Sequence, residues 1–420
     1  MRGINESDRL LYEVAVAHCI TEGKKQAEII KLLGLNQTAV SRLSTNNPHI
    51  TKPALEPVLP DGIDRDDFLR QVDSLLHQRD VTTYLRELSL YDRFSVDVIH
   101  GPPVAQKTGP DGFDPRFAPY ISRLVDRARV VGVAWELGIK PYADNIPNFV
   151  SRNGNNGEEA IRFVPLCGIT ADSDEALVKS STAIAMRFHR LVNKNFSVHE
   201  PKLLNLNCIP LVHPKRRIAK SASTESEPWA PDSIDVIEYL REAFPDYEEI
   251  FGSMTPGAKR KEAEAQEKDA LINKVDMMLT GLGASAKETD NLLRKLYPRT
   301  EKIRISDKPV RYLTRKQIRE EVIVGDIAGV LLPNTQCANA AFNETVVNYL
   351  NNKLATLRPE HLKACCQQAD NAMGQVLPGV VLVADGAVSV DCLIAAVKLG
   401  YVNHVVIDDD LAQGIESRIK

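Results

Sequence analysis

The sequence predicts an N-terminal all-α helix-turn-helix domain followed by an α/β domain with a mostly parallel sheet, which carries a helical insertion. Three observations lead there. Between Gln26 and Leu43 the apolar residues Ile29, Leu33, Leu35, Val40 and Leu43 recur as two short crossing helices require, with Gly34 in the turn and Asn36 at the start of the second helix. From Val96 onward, short apolar runs alternate with amphipathic helices, the rhythm of a parallel sheet covered on both faces. Glycines then fall just after several of those runs, where the strands of such sheets present their ligand-binding loops.

Taken in order, helix 1 is expected from about Asp8 to Glu22, where Leu10, Val14 and Ala17 cover the back of the motif and Gly23 ends it. With Val40 and Leu43 turned inward, Gln37, Thr38, Ser41 and Arg42 point outward near the start of the second motif helix. Amide, hydroxyl and guanidinium groups at that place can read base edges in a major groove. Lys24, Lys25, Lys31 and Arg42 are the candidates for phosphate contacts, with Arg2 and Arg9 behind them. An ordinary helical hairpin with a polar outer face is the bland alternative.

Asn46-Asn47-Pro48 stops the helix, and Pro53, Pro57 and Pro60 mark a linker, so the first domain is placed at 1–50 and a linker with a helical segment at 51–90. In that segment Phe68, Val72, Leu75 and Leu76 form an apolar stripe that serves its own core or a second subunit. The α/β domain, 91–420, has expected strands at Val96–His100, Val130–Trp135, Phe163–Cys167, Leu203–Val212, Asp276–Leu282, Val380–Ala384 and His404–Ile407. An insertion is expected at about 214–273. Its first part, 214–231, is too poor in apolar residues to offset its ordering entropy and is expected to be a flexible loop, with Lys215, Arg216 and Arg217 as an alternative basic patch.

A chain of 420 residues is long enough for two or three domains. Its net charge of −4 argues against a surface that grips nucleic acid everywhere, so any DNA contact is local. Seven scattered cysteines without paired spacing read as reduced, mostly buried thiols. No apolar run of transmembrane length and no leader is found, so a cytoplasmic protein without membrane contact is expected.

Several pieces, in order, resemble the SorC/DeoR-type sugar-binding transcriptional regulators of bacteria. They are the Gln26–Leu43 motif; Gly132-Val133-Ala134-Trp135; Leu279-Thr280-Gly281-Leu282-Gly283; Val324-Gly325-Asp326-Ile327-Ala328-Gly329; Val383-Ala384-Asp385-Gly386; and the closing Gly400 to Asp409 stretch. The resemblance implies an effector domain similar in fold to sugar-phosphate isomerases and deaminases, and a repressor or activator that reports a small sugar-derived effector to double-stranded operator DNA as a dimer or tetramer. Effector-site candidates are Gly132, Trp135, Glu136, Gly281, Gly283, Asp326, Asp385, Gly386, Ser389 and Asp408. Glycine turns can cradle an anion with backbone N–H groups, and carboxylates accept from sugar hydroxyls.

The departures shape the ligand. Where the family has a glycine and then a threonine after the first strand loop, this chain reads Glu136-Leu137-Gly138; Ser389 stands where a lysine is common, and Ile407 replaces a threonine. Each change removes a donor or a positive charge, and Glu136 adds a negative one. The expected effector is therefore a neutral sugar or related metabolite rather than a sugar phosphate. No catalytic residue, metal or cofactor is expected. The alternatives are an isomerase- or deaminase-like enzyme with an appended DNA-binding domain, using Asp326, Asp385 or Asp408 as general base, and an effector-independent DNA-binding scaffold. In the bland reading, Gly281 and Gly283 are tight turns and Asp408-Asp409-Asp410 is a helix cap.

Overall fold

Three short helices open the chain: α1 (Arg9–Thr21), α2 (Gln26–Leu33) and α3 (Gln37–Ser44). The computed structural model describes residues 9–21, 24–45, 80–99, 117–134, 159–167, 180–194, 202–206, 245–252, 270–284, 290, 292–294, 302–307, 309–352, 354, 356–372, 377–386 and 389–419. Val14, Ala15, Val16 and Cys19 of α1, Ile29 and Leu33 of α2 and Val40 of α3 form one small core, with Leu35 and Leu43 packed against it. Each fully buried aliphatic side chain contributes roughly 1.5–3 kcal/mol. Gly34 has φ 65°, the left-handed conformation that ends α2 and frees the chain to turn. The Asn36 carboxamide oxygen accepts the Ala39 N–H at 2.7 Å and starts α3.

The α/β part is built on six parallel strands: β1 (Ser95–Ile99), β2 (Val130–Val133), β3 (Arg162–Pro165), β4 (Met277–Thr280), β9 (Gly379–Ala384) and β10 (His404–Asp408). Their spatial order is β1-β10-β9-β4-β2-β3, and every pairing is parallel. β2 has β3 on one side and β4 on the other, so the winding reverses between β2 and β4, which is where open α/β sheets bind ligands. Side chains alternate between two cores: Val380, Leu382 and Ala384 face one, Val381 and Val383 the other. The second face is covered by the helices Ala118–Val125 and Ser181–Val192, whose Phe188 stacks on Phe163 with ring centroids 5.3 Å apart. Helices Pro245–Phe251, Ala340–Asn351, Pro359–Asn371, Val390–Lys398 and Asp409–Ile419 contribute to the first.

Two antiparallel hairpins join this frame, and the alternation of strands with helices does not foreshadow them. One pairs β5 (Lys302–Asp307) with β6 (Val310–Thr314), and the other pairs β7 (Ile323–Ile327) with β8 (Val330–Pro333). The expected strand Leu203–Val212 is corrected over its described part. Residues 202–206 are irregular, because the Asn205 N–H is taken by Asp246 at 2.9 Å and the Leu206 N–H by the Thr182 hydroxyl at 2.9 Å.

Within the expected insertion, Tyr247, Ile250 and Phe251 are buried in the larger core, while 214–244, including the expected loop, and 253–269 lie outside the described residues. So do the 51–79 linker and its apolar stripe. The six described cysteines form no disulfide, and burial pushes the Cys366 thiol up to about 12. Among the described residues no helix is long and apolar enough to cross a membrane.

Candidate functional site

Two places in the described structure collect the candidate residues. The first is the outer face of α3. Gln37, Thr38, Ser41 and Arg42 are all exposed, whereas Val40 between them is fully buried. The order polar-polar-small-apolar-polar-polar at 3.6 residues per turn produces this split. Gln37 and Thr38 occupy the first turn, at the positive end of the helix dipole. Lys25 stands exposed at the entrance to α2, where the Glu28 carboxylate accepts its backbone N–H at 2.6 Å. Lys24 is half-buried, and its N–H donates to the Cys19 carbonyl at 3.0 Å. Arg9 differs from these, since its guanidinium is paired with Glu13 at 2.8 Å; Arg2 lies outside the described residues. Residues 24–45 hold four basic side chains and one acidic one, so this surface is locally positive in a chain of net charge −4.

The second place is the carboxyl edge of the sheet, where β4, β9 and β10 bring together Gly281, Gly283, Asp385, Gly386, Ser389 and Asp408. Asp408 is nearly buried. Its carboxylate accepts the Leu411 N–H at 2.9 Å and the Gly386 N–H at 3.1 Å, which caps the last helix and ties the loop after β9 to the end of β10. Burial holds its carboxyl above the usual carboxylate range. The helix-cap reading of this aspartate is what the geometry displays. Ser389 is nearly buried, and its hydroxyl donates to the Asp385 carbonyl at 3.3 Å; Asp385 itself is exposed, and Gly386 bends the loop with its α-carbon facing open space.

Asp326, from the β7–β8 hairpin, reaches the same edge. It pairs backbone to backbone with Gly283 at 3.0 and 3.1 Å, and its carboxylate accepts the Gly329 N–H at 2.9 Å inside the hairpin turn. A Cβ on Gly283 would stand 2.2 Å from the Asp326 Oδ2, so any side chain there would have to displace the Asp326 carboxylate. The hairpin tip is held by two residues that sequence reasoning missed. The Cys167 thiol, beyond β3, donates to the Ala328 carbonyl at 3.3 Å, and the Cys392 thiol donates weakly to the Asp326 carbonyl at 3.9 Å. Cys167 stands two residues past β3 and Cys392 in the first turn of the helix Val390–Lys398, and an apolar setting is the only signal either gives.

Not every candidate gathers at the edge. Gly132 lies inside β2 and packs against Leu166, one residue short of the strand end. Trp135 and Glu136 lie outside the described residues. His404, the histidine nearest these carboxylates in sequence, is at the opposite end of β10, between the Ser95 hydroxyl at 2.7 Å and the Asp97 carboxylate at 2.9 Å. Among the described residues no cluster of His, Cys, Asp and Glu is arranged to hold a metal ion.

No protein-family model matches the chain. A search of curated proteins likewise finds no match. Among solved structures, the full-length sorbitol operon regulator SorC from Klebsiella pneumoniae is similar over 97% of this chain and 98% of its own, at 13% identity and a TM-score of 0.46. A DeoR family transcriptional regulator from Listeria monocytogenes is similar over 80% of this chain and 98% of its own, at 16% identity and a TM-score of 0.43. A transcriptional regulator from Streptococcus pneumoniae TIGR4 is similar over 81% and 97%, at 13% identity and a TM-score of 0.45. The solved structures to which this chain bears a distant likeness thus include DeoR- and SorC-type regulators.

Proposed function

We propose that the chain is a sequence-specific DNA-binding transcriptional regulator, and that α3 is its recognition helix. One observation carries the reading: a capped helix on its own small core turns Gln37, Thr38, Ser41 and Arg42 outward together while burying Val40. Good bidentate contacts from such side chains are worth about 1–3 kcal/mol each. Arg42→Ala should therefore weaken operator binding by about 1–3 kcal/mol at fixed salt and leave the melting temperature unchanged. Undiminished binding in that titration rules the assignment out.

In this reading the α/β part, an isomerase- or deaminase-like fold, is the effector domain. A neutral sugar or related metabolite binds at the carboxyl edge near Gly281, Asp385, Gly386 and Ser389 and shifts the arrangement of paired helix-turn-helix units. An even-numbered assembly follows from half-sites about one helical turn apart. Linkage then requires effector and operator to alter each other's affinity by the same factor. A sugar present at a hundred times its dissociation constant should add about 2.7 kcal/mol of stability.

A second reading, an effector-independent DNA-binding scaffold, is favoured by one observation. The Asp326 and Asp408 carboxylates already accept backbone N–H groups of the protein itself. A panel of neutral sugars that produces no thermal stabilisation, with operator binding intact, selects it. The enzyme alternative draws no support from these bonds, because a general base needs its carboxylate turned to a substrate.

A further inference from the structure

We propose that the exposed basic surface of the β5–β6 hairpin and the turn after it is a second, sequence-independent contact for the phosphate backbone of duplex DNA. The inference rests on the DNA-binding reading above but uses a different part of the chain. Between residues 291 and 320 the sequence holds ten Lys or Arg and three Asp or Glu, a local charge of +7 in a protein whose total is −4.

The hairpin sorts these residues by face. Ile303 and Ile305 are buried in the larger core with Leu313 packed against it, so their neighbours at alternate positions turn away from it. Lys302 and Arg304 lie on that outer face, about 6.7 Å apart along β5, and Arg304 is paired across the ladder with Tyr312. The Arg304 Nε donates to the Ser306 carbonyl at 3.2 Å, which fixes its guanidinium over the bulge. Lys302 is exposed on this face, and Arg311 is exposed near the turn, beyond the bulge and on Leu313's side of β6; among the described residues neither takes part in an ion pair. Tyr312 keeps 39% of its surface exposed, one of few large hydrophobic side chains among the described residues to do so.

The surface continues past β6. Thr314 caps the next turn by accepting the Gln317 N–H at 3.1 Å, which places Arg315 and Lys316 directly after the hairpin. Lys316 is exposed, 4.0 Å from Glu320. Arg294 and Arg319 both meet Asp290, at 2.6 and 3.7 Å, and Arg319 also pairs with Glu320 at 2.6 Å, so these two arginines are already neutralised and are left out of the contact. Exposed Lys and Arg with an interleaved tyrosine are the groups that engage phosphate and sugar without reading sequence.

The test titrates the full-length chain with a mixed-sequence DNA duplex between about 50 and 200 mM salt. The variant Lys302→Gln/Arg311→Gln/Lys316→Gln should raise the dissociation constant about tenfold or more at the low-salt end. It should also flatten the log–log salt slope by about 2.7, which is about 0.9 for each lost phosphate contact. The charge-preserving variant Lys302→Arg/Arg311→Lys/Lys316→Arg should keep both quantities. Unchanged affinity and slope in the glutamine variant overturn the proposal, as does an equal loss in the charge-preserving one. Loss of binding to phosphatidylserine vesicles with duplex binding unchanged assigns the face to lipid and also overturns it. The two DNA readings fail separately. In a Gln37→Ala/Arg42→Ala background sequence preference should vanish while the difference made by the hairpin substitutions persists.

Discussion

The outer face of α3 and the carboxyl edge of the sheet both collect polar residues near a glycine turn, but they employ them differently. On α3 the fold is complete without Gln37, Thr38, Ser41 and Arg42: the core needs Ile29, Leu33 and Val40, the turn needs Gly34, and the cap needs Asn36. At the sheet edge three of the candidate residues are themselves structural. Asp408 holds two backbone N–H groups, Asp326 closes its own hairpin turn, and Gly283 exists to let Asp326 approach. Side chains dispensable to the fold are available to a partner. Those embedded in it are held in place by bonds to the fold, so changing them disturbs structure and ligand together.

The contrast can be broken at either end, and the largest effects belong to the sheet edge. Gly283→Ala pushes a Cβ against the Asp326 carboxylate and should cost about 1–3 kcal/mol by denaturant unfolding; a cost below about 0.5 kcal/mol would mean that the carboxylate moves aside freely. Asp408→Ala leaves the Gly386 and Leu411 N–H groups without their acceptor, and about 2 kcal/mol is expected. Asp408→Asn keeps an acceptor oxygen and should cost less.

The asparagine variant also isolates a pH effect. Burial raises the folded-state pKa of Asp408 above the ordinary value of 3.8, so the folded chain retains a proton that the unfolded chain has released. That contribution is complete below the unfolded value and lost as pH rises through the folded one. Relative to Asp408→Asn, the wild type should therefore lose stability as pH climbs from about 4. A wild type that gains on the variant over that range would contradict the assignment.

Smaller effects sharpen the α3 side. Asn36→Ala removes the cap and should cost about 1 kcal/mol. Substituting alanine at Gln37, Thr38, Ser41 or Arg42 should change stability by less than about 0.5 kcal/mol each. A larger loss at any of them would place that residue with the structural group.

The parts legible in the sequence are those whose physics is local or strongly apolar. Ile29, Leu33 and Val40 at helical spacing, Gly34 and Asn36 declare the three-helix core, and all take the predicted places. Parallel strands buried on both faces appear as runs such as Val380–Ala384, which is why the sheet could be read. The hairpins escaped for identifiable reasons. β5–β6 is half polar because only one of its faces is covered, and its alternation is interrupted by a bulge between Arg304 and Ser306. β7–β8 turns on Ala328-Gly329 with Ala328 at φ 53°, so the Asn-Gly or Asp-Gly signature of such turns is missing. The carboxylates were legible as polar residues after strands, but which of them hold backbone depends on contacts between segments distant in sequence, such as Gly283 with Asp326.

The most direct test of the central claim is selection of bound duplexes from a random-sequence pool by the purified full-length chain, with the Gln37→Ala/Arg42→Ala variant in parallel at the same salt. The account predicts a short repeated motif enriched by the wild type and lost in the variant, with equal melting temperatures. Enrichment of the same motif by both proteins would show that α3 does not read the sequence and would contradict the account.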